Sequence, residues 1–169
     1  KLVTEKIEET SGGITFSLDD KFIFYSKLDE NHRPRKIYSH ELGSNTKNDQ
    51  LIFEEKSEAF TVGISLSSDD KYFFITTSDH NTSEQYYFDV NEKEPKPKLI
   101  KKRKKGILYS VNSWDGKFYN HTNENAEDFK IEISDNIEKP DWKTFIAAKK
   151  EVLIGGLTFL NNWIIRSET

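Results

Sequence analysis

The segment FSLDDKFIFYS (16–26) returns as ISLSSDDKYFFITTS (64–78) and, more loosely, as YSVNSWDGKFYNHT (109–122). A fourth, weaker copy is LTFLNNWIIRS (157–167). Superposed on Lys21, Lys71 and Lys117, with Asn162 in the fourth place, the copies are spaced by 50, 46 and 45 residues. A period in this range suits a four-stranded propeller blade, and the copies lack the 3.6-residue apolar stripe of a helical repeat.

Each unit reads as a short strand, a turn, a strongly apolar strand, a polar hairpin and two further strands. The spacing predicts strands at 14–18, 22–28, 35–42 and 50–55 in the first unit. In the second they fall at 62–67, 72–78, 84–90 and 97–103, and in the third at 107–113, 117–123, 129–134 and 142–147. Asp19-Asp20, Asp69-Asp70 and Asp115-Gly116 occupy the first turn of each unit, and these residue types tolerate tight-turn geometry. In the hairpin KLDENHRPRKIY (27–38), Asp29 and Asn31 suit the turn, and Pro34 sits where no ladder N–H is needed.

The second strands, FIFY (22–25), YFFI (72–75) and WII (163–165), are continuously apolar and must be covered on both faces. Stacked propeller blades meet that condition without helices. A β-sandwich is the alternative, but nothing in a sandwich requires the repeat. The expected fold is therefore all-β: a partial β-propeller with blades at 11–56, 57–104 and 105–150, a partial blade at 151–169 and a leading strand at 1–9. A closed ring needs more blades, so the chain, which contains no methionine, reads as an internal fragment of a longer polypeptide. Its cut ends would expose strand edges and favour self-association.

Twenty-five basic residues against 29 acidic ones give a net charge of −4, which provides no general field for nucleic acid. With no cysteine there is neither disulfide, thiolate metal site nor cysteine nucleophile. No apolar run approaches a membrane span, and no leader-like segment opens the chain, so the expected location is the cytoplasm.

The motif search assigns no catalytic, cofactor-binding or metal-binding residue. Gly63-Ile64-Ser65 comes nearest to a G-x-S-x-G elbow, but Ser67 stands where the second glycine belongs. His32, His40, His80 and His121 have no metal-ligand spacing, and His80 between Asp79 and Glu84 reads as a polar hairpin. KKRKK (101–105) resembles a phosphate-binding or nuclear-localisation run. It falls between two units, however, where a solvated connection is expected. The sequons at Asn81 and Asn120 read as chance, and no Gly-rich phosphate loop is present.

The residues also carry a family resemblance. KLDENHRPRKIYSHELGS (27–44), LIFEEKSEAFTVGISLS (51–67) and TTSDHNTSEQYYFD (76–89) resemble the N-terminal propeller of the prolyl oligopeptidase family of serine peptidases. GILYSVNSWDGKFYNHTNENAEDFKI (106–131) and the Trp142 segment DWKTFIAAK do so too. LDEN-x-RP-x-KIY and TNENAEDFKI point to the oligopeptidase B group (protease II) over the post-proline-cleaving relatives, although KKRKK is denser than that group's linker.

The resemblance, which covers essentially the whole chain, implies a seven-bladed propeller capping an α/β-hydrolase domain of the same polypeptide. It also implies hydrolysis of short peptides after Arg or Lys, no cofactor, and a propeller that gates access by size. The triad positions of such a hydrolase have no counterpart in these residues, so the segment alone is expected to be inactive. Acidic residues on polar hairpins, Asp29, Glu30 and Asp79, are candidates for attracting cationic peptides. A non-enzymatic interaction propeller and the propeller of a post-proline-cleaving enzyme remain as alternatives.

Overall fold

A computed structural model describes residues 5–169. The first sheet holds β1 (Thr10–Phe16), β2 (Phe22–Leu28), β3 (Pro34–Glu41) and β4 (Gln50–Glu54). The second holds β5 (Thr61–Leu66), β6 (Tyr72–Ser78), β7 (Ser83–Asp89) and β8 (Lys98–Lys101). The third holds β9 (Tyr109–Trp114), β10 (Lys117–Thr122), β11 (Lys130–Ser134) and β12 (Lys143–Ile146). β13 (Ile154–Leu160) and β14 (Trp163–Glu168) form a two-stranded fourth sheet. Every sheet is an antiparallel meander in chain order, the topology of propeller blades. The leading strand expected at 1–9 is not formed over residues 5–9, and residues 1–4 lie outside the described residues.

Three apolar clusters join successive sheets. Phe24 and Ile37 meet Phe73, Ile75 and Phe88 between the first and second. Phe74 and Tyr87 meet Tyr109, Val111 and Phe118 between the second and third. Tyr119 and Ile131 meet Ile154, Leu157 and Phe159 between the third and fourth. β6 thus sends Phe73 and Ile75 one way and Phe74 the other, which is why its first four residues, YFFI, are continuously apolar. β14 has no following sheet among the described residues, and Trp163 (72% exposed) and Ile165 (51%) lie open.

The lysine superposition slips by one residue in the third copy. Phe16 pairs with Ile23 and Leu66 with Phe73 across longer turns, whereas Trp114 pairs with Lys117 directly across Asp115-Gly116. Lys117 is therefore a strand residue, while Lys21 and Lys71 belong to turns. The equivalent positions are Phe24, Phe74 and Tyr119, each facing the following sheet. A one-residue slip exchanges the two faces of a strand, so the tighter turn decides which rings enter which cluster.

β1 begins earlier than the spacing predicts because Gly12-Gly13 lies in a register irregularity between Thr10 and Ile14. Gly155-Gly156 does the same in β13.

Candidate functional site

Two sets of turns stand at opposite ends of the sheets. At one end, the repeated Ser-Leu-Asp-Asp-Lys (17–21) and Ser-Ser-Asp-Asp-Lys (67–71) letters build one geometry twice. The Ser17 hydroxyl donates to Asp19 (2.7 Å) and accepts the Phe22 N–H (3.0 Å). The Ser67 hydroxyl donates to Asp69 (2.9 Å) and accepts the Tyr72 N–H (3.0 Å). Asp20 and Asp70 then take left-handed backbone, φ 56° and 57°. The Ser17 hydroxyl and the Lys21 N–H hold the Asp19 carboxyl below the usual range. Asp69 also accepts from Ser113 (2.8 Å), tying the second sheet to the third.

At the other end lie the hairpins of Asp29, Glu30 and Asp79. Asp29 accepts the N–H groups of Asn31 and Arg33, both at 2.9 Å, and these bonds lower its pKa. Asp79 accepts those of Asn81 (2.9 Å) and Thr82 (2.8 Å). These two carboxylates are turn acceptors, each closing its own hairpin, and Glu30 stands exposed beside the first. His32 turns the first hairpin with φ 56°, and Pro34 is the first residue of β3.

KKRKK is more than a solvated connection. Lys102, Lys104 and Lys105 are exposed, but Arg103 turns inward. Its Nη2 donates to Glu55 (2.6 Å) and its Nε to Glu84 (2.7 Å), while the guanidinium lies 4.1 Å from the centre of the Phe60 ring. The two carboxylate side chains are only 4% and 6% exposed, against 25% for Arg103. Burial opposes ionisation of Glu55, but the Ser57 N–H and the Arg103 guanidinium outweigh it and keep its pKa low. Lys101 pairs with Glu124. The run is a latch: its middle residue reaches back across the second sheet to the end of the first.

Arginines from the first hairpin complete the joint. Arg33 donates to the carbonyls of Glu58 (2.5 Å) and Ala59 (3.1 Å), and the Arg35 Nε donates to that of Glu55 (3.0 Å).

A second set of polar links joins β7 to β9. The Ser83 hydroxyl donates to the Tyr109 carbonyl and accepts the Tyr109 N–H, both at 2.7 Å. The Gln85 side chain accepts from Val111 N–H (2.7 Å) and donates to Val111 O (3.3 Å). The Tyr109 hydroxyl accepts the Gln85 N–H (2.8 Å) and donates to the Lys101 carbonyl (2.5 Å). Burial pushes this phenol's pKa well up. Side chains thus take the part of a missing ladder between two sheets.

The histidines lie apart. His40 is fully buried, with Nδ1 2.6 Å from Asp49, which also accepts from the Tyr25 hydroxyl (2.8 Å). Its Nε2 is 3.6 Å from Glu5, beyond hydrogen-bond length. Burial and the Asp49 carboxylate raise the Tyr25 pKa strongly. His121 stacks on Phe129 (4.6 Å) with Nε2 2.7 Å from the Ile154 carbonyl, and His80 is exposed.

Asn120 is buried and donates to Glu132 (3.1 Å), so its sequon cannot accept a glycan in the fold. Gly63-Ile64-Ser65 lies inside β5. Arg103 had one local signal, a lone arginine among lysines; His40 and Asp49 had none.

Comparison with known proteins decides what these blades belong to. The model of the prolyl oligopeptidase N-terminal β-propeller domain matches residues 1–169. The chain belongs to this family. Protease 2 of Moraxella lacunata is 39% identical over 110 residues, which cover 65% of this chain and 16% of that protein. Oligopeptidase B of Trypanosoma brucei, solved in a closed form with covalently bound antipain, superposes with a TM-score of 0.93 at 22% identity, over 99% of this chain and 24% of that one. Oligopeptidase B of Leishmania major gives 0.91 at 21% identity, again over 99% and 24%. The prolyl oligopeptidase propeller described here therefore spans about a sixth of the curated relative and a quarter of each solved chain. The all-β propeller expected from the repeat is the fold observed.

Proposed function

We propose that the chain is part of the propeller of a serine oligopeptidase that hydrolyses short peptides after Arg or Lys. The propeller admits peptides by size, and an α/β-hydrolase domain elsewhere in the same polypeptide supplies the nucleophile. The observation that carries this reading is the 39% identity with Protease 2, together with the family match along the whole chain. The blade joints add physical support. Buried charge and hydrogen bonds at Arg103 and Gln85 cross-link neighbouring sheets, as a rigid filter requires. The segment acts in the cytoplasm; among the described residues no helix is long and apolar enough to cross a membrane.

The test uses the full-length polypeptide. Arginyl and lysyl reporter peptides should be turned over, prolyl reporters poorly, and folded proteins hardly at all. The segment alone should turn over none, since it carries no oxyanion-hole machinery of a hydrolase elbow. Preferential cleavage after proline, or rapid digestion of a folded protein, overturns the reading.

A further inference from the structure

One junction between sheets lacks a side chain that the other two possess. Phe24, Phe74 and Tyr119 are equivalent, and their cross-strand partners are Ser39, Tyr87 and Ile133. Tyr87 is buried in the second cluster, its ring 5.9 Å from that of Tyr72, and Ile133 packs in the third. Ser39 offers only a hydroxymethyl group. Beside Ser39 a cavity of about 360 Å³ opens between the first and second sheets, against about 290 Å³ beside Tyr87 at the next junction.

Its walls suit an aromatic guest. Phe24, Phe73 and Phe88 line the interior, Phe73 and Phe88 already stacked at 5.1 Å, while Phe22 and Leu18 border it. Ser39 and its partner Gln50 contribute a hydroxyl and an amide to this apolar surface. The nearby carboxylates are engaged: Asp19 pairs with Lys21 at 3.2 Å, and Glu92 accepts the N–H groups of Asp89 (3.3 Å) and Lys96 (3.4 Å). Lys93 is the one cation among the described residues of the lining, set against Asp19 and Glu92, so no single sign of charge dominates and the phenylalanine interior favours a neutral ring over an ion. The volume lies at the lower end of small-molecule sites, roughly 300–1,000 Å³.

We propose that this cavity binds a small neutral aromatic molecule of the phenol class. Its ring takes the place that Tyr87 fills at the next junction, and its hydroxyl meets Ser39 or Gln50. Ring-to-ring contact with the phenylalanine wall supplies the attraction, as between the chain's own aromatic pairs.

The experiment titrates p-cresol, the tyrosine side chain itself, into the full-length protein by calorimetry and ligand-detected NMR. This reads binding directly and does not depend on the peptidase assignment. Saturable binding with a dissociation constant on the order of a millimolar is expected for so small a ligand. Ser39→Tyr, which supplies the missing ring, should weaken it by about tenfold or more, and Ser39→Ala by no more than about threefold. Gln50→Trp, at an exposed outer-strand position where folding is not threatened, should also weaken it about tenfold and decides the matter if Ser39→Tyr does not fold. Absence of saturable binding, or binding that Gln50→Trp and a folded Ser39→Tyr leave unchanged, overturns the proposal.

Discussion

Replacing Arg103 by methionine is the sharpest test of how the blades are joined. The guanidinium serves two carboxylates at 2.6 and 2.7 Å, and both side chains are almost wholly withdrawn from water. Removing one partner of a buried ion pair costs about 3–5 kcal/mol, chiefly because the remaining charge is left uncompensated. Loss of the contact with Phe60 adds about 0.5–1 kcal/mol. Arg103 itself is one-quarter exposed, so water offsets part of this, and a net loss of ~3 kcal/mol is expected. For a chain of this size that lowers the melting temperature by about 6–12 °C in calorimetry.

The pH dependence separates this mechanism from simple loss of packing. In the parent chain the Glu55 pKa is depressed, so its contribution is present above the unfolded value and lost as pH falls through the folded one. In Arg103→Met the cation is gone while burial and the Ser57 N–H bond remain, so the folded-state pKa of Glu55 rises from its value in the parent. The deficit of the variant should therefore shrink as pH falls from 7 towards 5. Adding Glu55→Gln and Glu84→Gln to Arg103→Met should recover most of the lost stability at pH 7. A loss below about 1 kcal/mol, or a deficit independent of pH, refutes the reasoning.

Three other outcomes follow from the same structure. Gln85→Leu strips two hydrogen bonds from the Val111 backbone and should cost about 2 kcal/mol in urea denaturation, with an unchanged denaturant slope. Gly116→Ala places a Cβ at φ 72° in the two-residue turn of the third sheet and should cost about 1 kcal/mol by the same measurement. The isolated segment should show a light-scattering mass that rises with concentration, and Trp163→Lys, on the open face shared with Leu160 and Ile165, should suppress the rise.

The strand pattern was legible because it is written locally. Asp-Asp and Asp-Gly turns, apolar second strands and the recurring serine each act on neighbours within a few residues. The hairpin KLDENHRPRKIY needs only its own Asp29, His32 and Pro34 to turn. Of the leading strand expected at 1–9, residues 5–9 are not in a ladder, since a strand needs a partner that a local run of letters does not specify. The lysine superposition failed by one residue because a two-residue turn changes which face a strand presents, although the repeat itself is real.

By itself the sequence determined the all-β class, the blade period and, through its particular letters, the family. Only the tertiary structure decided which side chains join one blade to the next. Arg103 finds carboxylates 48 and 19 residues away, Ser83 and Gln85 find the Tyr109 and Val111 backbone 26 residues on, and Ser39 leaves the first junction without the ring that Tyr87 supplies at the second. The reason is physical: hydrogen bonds within a hairpin depend on residues adjacent in the chain. The worth of a charge, or of a void, depends on how much water the neighbouring sheet excludes.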